Sequence, residues 1–358
     1  MNLGTPAGAP APGAPIALSI CIATFKRAAF IGQTLASIVP QLRPGVELLV
    51  LDGNSPDETP EIVGTFLRQS PHIVYRREPT NSGFDADYDK AVGYARGTHC
   101  WLLTDDDLLV EGAVDQVLLA LQDAPDVVVV NAQVRNKDFS ILLHPRMLPI
   151  DTDRTWGADG NEDFFATACS HLSFIGALIV RRSLWMERAR EPYYGSMFVH
   201  MGVIFQAPLA GTIRALARPL VIIRYGNAMW TPRSFEVWMY LWPKLIWSFV
   251  QFRETVRHRI TVRHPTCSAK RMIWFRAIGA FGPREYADLL ARDTNPRARS
   301  LARFVMGVPA WAANAALAVY CLFSTDAFAR LKLFELARAP GSTRVTRMLA
   351  GLRGVRRG

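Results

Sequence analysis

Three consecutive aspartates, Asp105, Asp106 and Asp107, end an apolar run and are the clearest sign of chemistry in this chain of 358 residues. On an extended backbone alternate side chains point to the same side, so we expect Asp105 and Asp107 to face one way and Asp106 the other. Carboxylates held together need a cation, and a hard divalent ion such as Mg²⁺ or Mn²⁺ takes one or two carboxylates plus substrate phosphates. The simpler alternatives are a solvated acidic turn and a helix N-terminus with acids in its first turn.

The segment that leads to these aspartates, residues 16–107, alternates short apolar runs with runs of helical spacing. The predicted strands are 16–23, 46–51, 72–75 and 99–103, and the predicted helices are 27–39, 57–67 and 84–96. Asp57 is the candidate N-cap of the second helix, and Gly97 is expected to close the third. This alternation predicts a parallel sheet with helices on both faces.

Polar residues follow each of the four predicted strands, at 24–27, 52–57, 81–83 and 105–107. In open α/β sheets, ligands bind at the carboxyl ends of the strands, so this edge of the sheet is the predicted site. No GxGxxG follows the first strand and no GxxxxGK[ST] occurs in the chain, which disfavours a nicotinamide dinucleotide site and a P-loop.

The same four segments resemble glycosyltransferase family 2, whose members have the GT-A fold and use nucleotide-sugar donors. In chain order they look like the family's TYNR turn, its DNGSTD segment, its N-x-G loop and its DXD motif. The resemblance is strong over residues 16–125 and weaker over 173–225. Residues 83–91 and 225–228 are most similar to abequosyltransferase-like enzymes of bacterial surface-polysaccharide assembly.

The resemblance implies roles for particular residues at the donor. The implied donor-binding residues are Thr24, Arg27, Asp52, Asn81, Asp89, Asp105 and Asp106. Asp52 would read the nucleobase, although a role in the turn that follows it is the alternative. Asp105 would face the ribose and phosphate, and Asp107 would join it in binding Mn²⁺ or Mg²⁺, which offsets the charge of the departing diphosphate.

The resemblance also implies a catalytic base, which in inverting relatives is usually an aspartate after a G-x-x-x-x-x-R strand. Residues 176–182 match that strand, and His200 stands where the aspartate would be. Imidazole titrates near 6.5 when unperturbed, so His200 is the first candidate, with a core histidine as the alternative. Asp163, Glu162 and His171 are the next candidates, and for the two carboxylates an ordinary helix N-terminus is the alternative.

Composition limits the partners and the compartment. The net charge of +10 suits an anionic partner, but no nucleic-acid module is visible. Basic and aromatic residues are interleaved in the last third, which favours a membrane surface. The five cysteines are scattered without CxxC spacing, as in a reducing cytoplasm. Residues 1–15 are mostly Ala, Pro and Gly and are expected to be disordered, without the apolar core of a signal peptide.

Residues 304–323 are almost free of charge and long enough to span a bilayer, although Pro309 and Asn314 interrupt them. Three structures remain open for this segment: a spanning helix, an interfacial or re-entrant helix, and a buried helix of a soluble domain. The basic segment 344–357 carries interspersed apolar residues that would suit acidic lipid headgroups.

We therefore predict an α/β protein of GT-A type, with a mostly parallel sheet flanked by helices and a C-terminal helical, membrane-associating extension. The predicted divisions are a tail (1–15), a catalytic domain (16–230, with a nucleotide-sugar half to 125 and an acceptor half from 126), a helical region (231–343) and a basic tail (344–358).

The predicted function is inverting, metal-dependent transfer of one sugar from a nucleotide diphosphate sugar to a saccharide on polyprenyl diphosphate. We expect it to serve O-antigen, exopolysaccharide or capsule assembly at the cytoplasmic face of the bacterial inner membrane, either peripherally or through one C-terminal hydrophobic helix. The alternative is a non-catalytic relative that binds nucleotide or membrane as an assembly factor. A nucleotidylyltransferase is disfavoured because residues 24–27 contain no glycine.

Overall fold

The computed structural model describes residues 15–229 and 231–355. The predicted disordered tail, except for Pro15, and the last three residues of the predicted basic tail lie outside the described residues. The chain forms two units, the first from residues up to 132 together with 148–222, and the second from 133–147 together with 223 onward. The second unit thus begins shortly before residue 231 and takes in a segment that the sequence assigns to the acceptor half.

Apolar β-branched runs form most of the strands in the described residues. The strands are β1 (Leu18–Thr24), β2 (Val46–Asp52), β3 (Ile73–Arg77), β4 (His99–Leu103), β5 (Leu108–Leu109), β6 (Val127–Arg135), β7 (Leu142–His144), β8 (Arg154–Trp156), β9 (Leu178–Arg181) and β10 (Ile213–Arg224). All seven residues of β2 are buried, as expected for a strand covered on both faces.

The strands pair in the order β3-β2-β1-β4-β9-β6-β10-β5, with β8 on β10 and β7 on the end of β6. The first four strands of that order are parallel, whereas β9 runs antiparallel to both β4 and β6. The predicted α/β class is confirmed, and every element predicted up to residue 103 is present with ends within two residues. The sheet as a whole is mixed, because only β1 to β4 are joined by helical crossovers.

Helices cover the sheet and build the second unit. They are α1 (Ala28–Ile38), α2 (Thr59–Leu67), α3 (Phe84–Tyr94), α4 (Ala113–Ala120), α5 (Asn161–Ala168), α6 (Arg182–Glu187), α7 (Val199–Phe205), α8 (Ser234–Glu236), α9 (Trp242–Ser248), α10 (Glu254–Ile260), α11 (Ala269–Ala277), α12 (Pro283–Glu285), α13 (Pro296–Gly307), α14 (Ala310–Phe323), α15 (Ala329–Arg338) and α16 (Arg344–Leu352).

Asp57 serves the N-termini of two helices. Its carboxylate accepts bonds from the Thr59 hydroxyl at 2.7 Å and backbone N–H at 3.3 Å, and from the Ala28 N–H at 3.1 Å. Burial raises the pKa of Asp57, but these bonds outweigh burial and bring the pKa below its usual value. The N-cap position of α2 is Glu58, so Asp57 lies one residue before the cap position instead of at it, from where it still bonds the first N–H of α2 and fixes the start of α1 beside β1.

Gly97 does not close α3, so that prediction was wrong. The helix ends at Tyr94, and Gly97 lacks the positive φ of a glycine cap. A Cβ at Gly97 would lie 2.6 Å from the backbone nitrogen of Ser19. The glycine is needed there because the chain passes close to β1.

Residues 304–323 belong to the second unit. They fall in two helices, α13 and α14, which are bent by 94° at a short break. No single helix in the described residues is long and apolar enough to cross a membrane, and only this bent pair meets that test by length and composition. Asn314 lies in the core, where its amide donates to the Ala277 carbonyl at 3.1 Å and the Leu336 carbonyl at 2.9 Å. Its oxygen accepts from the Thr346 hydroxyl at 2.6 Å, so Asn314 binds α14 to α11, α15 and α16.

Candidate active site

The carboxyl ends of β1 to β4 form one edge of the sheet, as the sequence predicts. In the strand register Thr24 lies opposite Asp52, Asp52 lies opposite Arg77, and Ile22 lies opposite Leu103. Two non-glycine residues in the turns at this edge, Lys26 and Asn54, have φ values of 58° and 65°. Backbone in this left-handed region is costly for such residues and tends to collect at functional sites.

Arg27 brings two of the three aspartates together. Its side chain is only 6% exposed, and its Nε donates to Asp105 Oδ1 at 3.0 Å while its Nη2 donates to Asp106 Oδ2. Its backbone N–H donates to the Thr59 hydroxyl at 3.1 Å, which fixes where the side chain starts. Burial lowers the pKa of Arg27, but the neighbouring carboxylates outweigh burial and raise it. A permanent positive charge therefore sits between two buried acids.

Asp105 is the most perturbed of these acids. Burial and then the charge of Asp106 raise the pKa of Asp105 to about 7, against the opposing effects of Arg27 and the Thr24 hydroxyl. One guanidinium does not fully compensate three adjacent aspartates. Additional positive charge at this edge would favour the ionised form of Asp105.

Asp107, the third aspartate, is buried and has a hydroxyl partner in its own turn. It is 2% exposed and accepts a bond from the hydroxyl of Thr104. The backbone bends at Asp105 and Asp106, between β4 and β5, instead of staying extended. The expected alternation, with Asp106 opposed to Asp105, was therefore wrong, because Asp105 and Asp106 both bind Arg27.

The donor set at this edge fits a hard divalent cation that a ligand helps to hold. Carboxylate oxygens are the ligands that Mg²⁺ prefers, and it usually completes its shell with substrate phosphates and water. Across residues 15–229 and 231–355, no group of three or more His, Cys, Asp or Glu is arranged to hold a metal unaided. Phosphate oxygens would have to supply part of the coordination.

Asp52 is fully buried and bonded within the protein. Its Oδ1 accepts from the Ser55 N–H at 2.7 Å, its Oδ2 accepts from the Tyr75 hydroxyl at 2.6 Å, and Arg77 Nε lies 4.0 Å away. Burial and the bond to Asp52 raise the pKa of Tyr75. The turn role left open by the sequence is thus present, and the base-reading role stays a prediction.

The two other donor-binding candidates take part in local bonds. Asn81 accepts from the Gly83 N–H at 2.7 Å, a short turn that leads into α3. Asp89, within α3, accepts from Trp185 Nε1 at 2.7 Å and from the Tyr194 hydroxyl, and it forms an ion pair with Arg190, whose Nε lies 2.8 Å away. Asp89 therefore connects α3 to the segment after β9, and its donor-binding role stays a prediction.

Asp85 is a residue that sequence reasoning missed. It lies in the first turn of α3, is 4% exposed, and accepts from the N–H groups of Met197 and Val199, both at 2.9 Å. Burial raises the pKa of Asp85, although these bonds oppose the shift. Met197 has a φ of 70°, which is strained for a long side chain. No local sequence signal could reveal a contact between segments more than 100 residues apart.

His200, the first candidate base, lies in α7 directly after the backbone that Asp85 holds. It is 0% exposed, and its Nε2 is 2.7 Å from the Leu172 carbonyl oxygen, so Nε2 carries the proton. Its Nδ1 is buried and finds no hydrogen-bond partner among the described residues. Burial lowers the pKa of His200 to about 4, so the ring is neutral at pH 7 with its Nδ1 lone pair available.

The other candidate bases lie elsewhere. His171 is almost fully buried, with its Nε2 2.8 Å from the Val130 carbonyl oxygen, and burial lowers its pKa to about 4.

Asp163 and Glu162 lie in the first turn of α5, and Asp163 accepts from Trp156 Nε1 at 2.6 Å. Trp156 pairs with Ile213 of β10, whereas Leu108 pairs with Ile222 of the same strand. Nine residues of strand span about 30 Å. The structure therefore does not bring these two carboxylates to the aspartate edge, and it shows the helix N-terminus that the sequence left as their alternative.

The parallel β3-β2-β1-β4 core with an acidic carboxyl edge defines an α/β domain of GT-A type. Residues 19–180 match the model of glycosyl transferase family 2. The chain therefore contains a family 2 glycosyltransferase domain.

Two curated relatives and two solved structures place this domain among known proteins. Abequosyltransferase RfbV of Salmonella typhimurium is 24% identical over 224 residues, which are 59% of this chain and 67% of that protein. The GalNAc(5)-diNAcBac-PP-undecaprenol beta-1,3-glucosyltransferase of Campylobacter jejuni is 28% identical over 102 residues, 28% of this chain. The match spans only 33% of that second protein's length.

Both solved structures are of TarS from S. aureus. Residues 1–349 of TarS in complex with UDP superpose with a TM-score of 0.52 at 14% identity, over 95% of this chain and 92% of that chain. A longer TarS structure gives a TM-score of 0.54 at 16% identity, over 81% of this chain and 52% of that chain. At these identities the likeness shows the fold alone.

Proposed function

We propose that this protein is an inverting, metal-dependent glycosyltransferase that moves one sugar from a nucleotide diphosphate sugar to a saccharide on polyprenyl diphosphate. The observation that carries the proposal is the buried Arg27–Asp105–Asp106 cluster at the carboxyl edge of a family 2 domain. Two relatives' names support the setting: one is an abequosyltransferase and the other acts on a PP-undecaprenol saccharide. The pathway would be O-antigen, exopolysaccharide or capsule assembly.

At the donor, Asp105 and Asp107 would hold Mn²⁺ or Mg²⁺ together with the diphosphate. When bound, the cation supplies Lewis-acid stabilisation of the negative charge on the departing nucleoside diphosphate. Arg27 keeps Asp105 and Asp106 side by side, because its positive charge offsets their mutual repulsion. Asp52, at the end of β2, is the proposed reader of the nucleobase.

At the acceptor, His200 is the proposed base. The acceptor oxygen forms a bond to the anomeric carbon as the carbon–oxygen bond to the diphosphate breaks, and the acceptor proton passes to His200 Nδ1. The neutral ring with a protonated Nε2 is the form that such a base requires. Nδ1 is buried, so proton transfer to it requires that the acceptor hydroxyl reach the interior beside α7.

A lipid-linked acceptor places the enzyme at the cytoplasmic face of the inner membrane. Nucleotide sugars are intracellular donors, and all five cysteines of the chain are free thiols, four of them buried. Both features agree with a reducing compartment.

The second candidate function is a non-catalytic relative that binds nucleotide or membrane as an assembly factor. Two observations favour it: His200 is fully buried, and both oxygens of Asp52 are already bonded within the protein. Against it stands Asp105, because a scaffold has no need of a buried carboxylate whose pKa is raised to about 7 beside two further acids.

A thermal-shift panel of nucleoside diphosphates and nucleotide sugars, each with and without Mn²⁺, separates the two candidates. A ligand that binds only the native state raises its melting temperature by mass action. We expect one nucleotide to raise the melting temperature of the wild type only in the presence of Mn²⁺. The Asp107→Asn variant should lose that shift. The Asp163→Asn variant, which changes an exposed residue of α5, should keep it. If no nucleotide shifts the wild type, the transferase proposal fails and the assembly factor is favoured.

A further inference from the structure

Helix α14 of the second unit exposes a continuous apolar stripe. Trp311 is 62% exposed, Val319 44%, Tyr320 57% and Phe323 79%. Their spacing places them on one side of the helix, and the residues between them on that side are alanines and the half-buried Leu322. Single exposed apolar residues are ordinary, whereas a contiguous set on one helix face indicates an interaction surface.

The opposite side of the same helix is part of the core. Ala313, Asn314, Ala318 and Cys321 are at most 5% exposed. The three hydrogen bonds of Asn314 fix which side faces inward, so the exposed stripe is not free to turn into the protein. The helix has 14 residues and is about 21 Å long, whereas a bilayer core is about 30 Å thick. A helix so fixed and so short can lie on a bilayer but cannot cross it.

The helices next to α14 carry positive charge. Residues 294–325 contain three arginines and no carboxylate, and Phe304 beside Arg303 is 70% exposed. Helix α16, bonded to α14 through Thr346, exposes Arg344 and Arg347. Within residues 231–355, Arg303, Arg344 and Arg347 form no ion pair with a carboxylate.

Helix α16 repeats the same mixture of side chains. Met348 is 55% exposed and Leu352 70%, next to Arg344 and Arg347. Apolar side chains among uncompensated cations match the headgroup layer of an anionic bilayer, into which the apolar groups can insert while the arginines meet lipid phosphates. A second copy of this chain would bring the same positive charges and be repelled.

We propose that α14, with Phe304 and the exposed side of α16, is an interfacial membrane-docking surface that lies flat on an anionic bilayer. The proposal deepens the proposed function, because it supplies the means by which the enzyme reaches an acceptor carried on a lipid. It requires no bilayer-spanning segment.

Vesicle flotation of the full chain tests the docking surface directly. We expect the wild type to float with vesicles of phosphatidylcholine and phosphatidylglycerol, to bind pure phosphatidylcholine more weakly, and to be released by high salt. Trp311→Glu and Phe323→Glu should each weaken binding by about tenfold, the cost of losing one large inserted apolar side chain. The matched control is Leu119→Glu, at a residue of α4 that is 56% exposed in the first unit, which should bind as the wild type does.

Two results would overturn the docking surface. One is unchanged vesicle binding in the Trp311→Glu, Phe323→Glu double variant, with its melting temperature confirming that it folds. The other is a wild type that binds no vesicles and is a dimer by light scattering, together with a double variant that is a monomer. That result would assign the stripe to a contact with a second copy of the chain.

The Mn²⁺-dependent nucleotide shift, measured on the same samples, keeps this test separate from that of the proposed function. A double variant that keeps the shift but leaves the vesicles supports docking in an intact transferase. A wild type that keeps the nucleotide shift but never binds vesicles would refute the docking surface and leave the proposed transferase function standing. Vesicle binding without any nucleotide shift would refute the proposed transferase function and leave the docking surface standing.

Discussion

Replacing His200 by glutamine should show whether this residue is a base or a core residue, because His171 provides a matched control. Both rings are almost fully buried, and each places its Nε2 against a backbone carbonyl, of Leu172 and Val130 respectively. In both, Nδ1 has no partner among the described residues. A structural role therefore predicts the same cost for both substitutions, whereas a catalytic role predicts a cost in kcat for only one.

The structural cost follows from the buried neutral rings. Losing or remaking one hydrogen bond costs about 1 kcal/mol at pH 7. Burial lowers the pKa of each ring from 6.5 to about 4, so between these values the unfolded chain binds a proton that the folded chain does not. The stability that each neutral ring contributes is present above pH 6.5 and is lost as the pH falls toward 4, by about 3 kcal/mol per histidine. Each glutamine variant should lose its share of this acid sensitivity.

The catalytic cost should separate the two variants. Loss of a general base lowers kcat by roughly 10² to 10⁴, so His200→Gln should lose that much while His171→Gln stays within a few-fold of the wild type. The assay is sugar transfer at saturating donor and acceptor, with melting temperature and acid unfolding measured on the same samples. Equal losses of kcat in the two variants, or a near-normal kcat in His200→Gln, would refute the assignment of His200 as the base.

Three further perturbations test the donor edge and the second unit. Asp107→Asn should abolish Mn²⁺-dependent turnover, whereas Asp163→Asn should leave the Mn²⁺ titration of the rate unchanged. Arg27→Ala should lower the free energy of unfolding by about 3–5 kcal/mol in urea, because it leaves buried carboxylates without their partner. Mn²⁺ should restore part of that loss. An unchanged unfolding midpoint would contradict the role of the buried cluster. Asn314→Leu should cost about 2–3 kcal/mol, since two buried carbonyls lose their donor, and a variant as stable as the wild type would contradict that account of the core.

The first hundred residues were predictable because their signals are local. Strands β1 to β4 are apolar runs that end in polar residues, and Asp57 bonds the first N–H of α2 from one residue before the N-cap position. The failures there concern contacts with other parts of the chain. Gly97 is required by the approach of Ser19, which no helix-end rule contains.

The aspartate run shows the same limit at the site. Alternation along a strand would pair Asp105 with Asp107, but the strand ends at Leu103 and a guanidinium from the turn after β1 gathers Asp105 and Asp106 instead. The sequence could nominate the carboxylates, since their types and position are local facts. Their partners depend on a residue 78 positions away.

The apolar segment 304–323 was undecided for a different reason. Its composition fits a spanning, an interfacial and a buried helix equally well, and Asn314 looks like a defect in all three. In the structure Asn314 is a core residue, and its hydrogen bonds require one side of α14 to face the core of the second unit.

The carboxylates of α3 set a rule for exchanging parts between related enzymes. Asp85 receives two backbone N–H groups, and Asp89 receives the side chains of Trp185, Arg190 and Tyr194, all from the stretch between β9 and α7. A chimera that replaces residues 182–205 to change the acceptor would disturb these contacts unless α3 is exchanged with them. The two segments should therefore be exchanged as a matched pair, which preserves the contacts of Asp85 and Asp89.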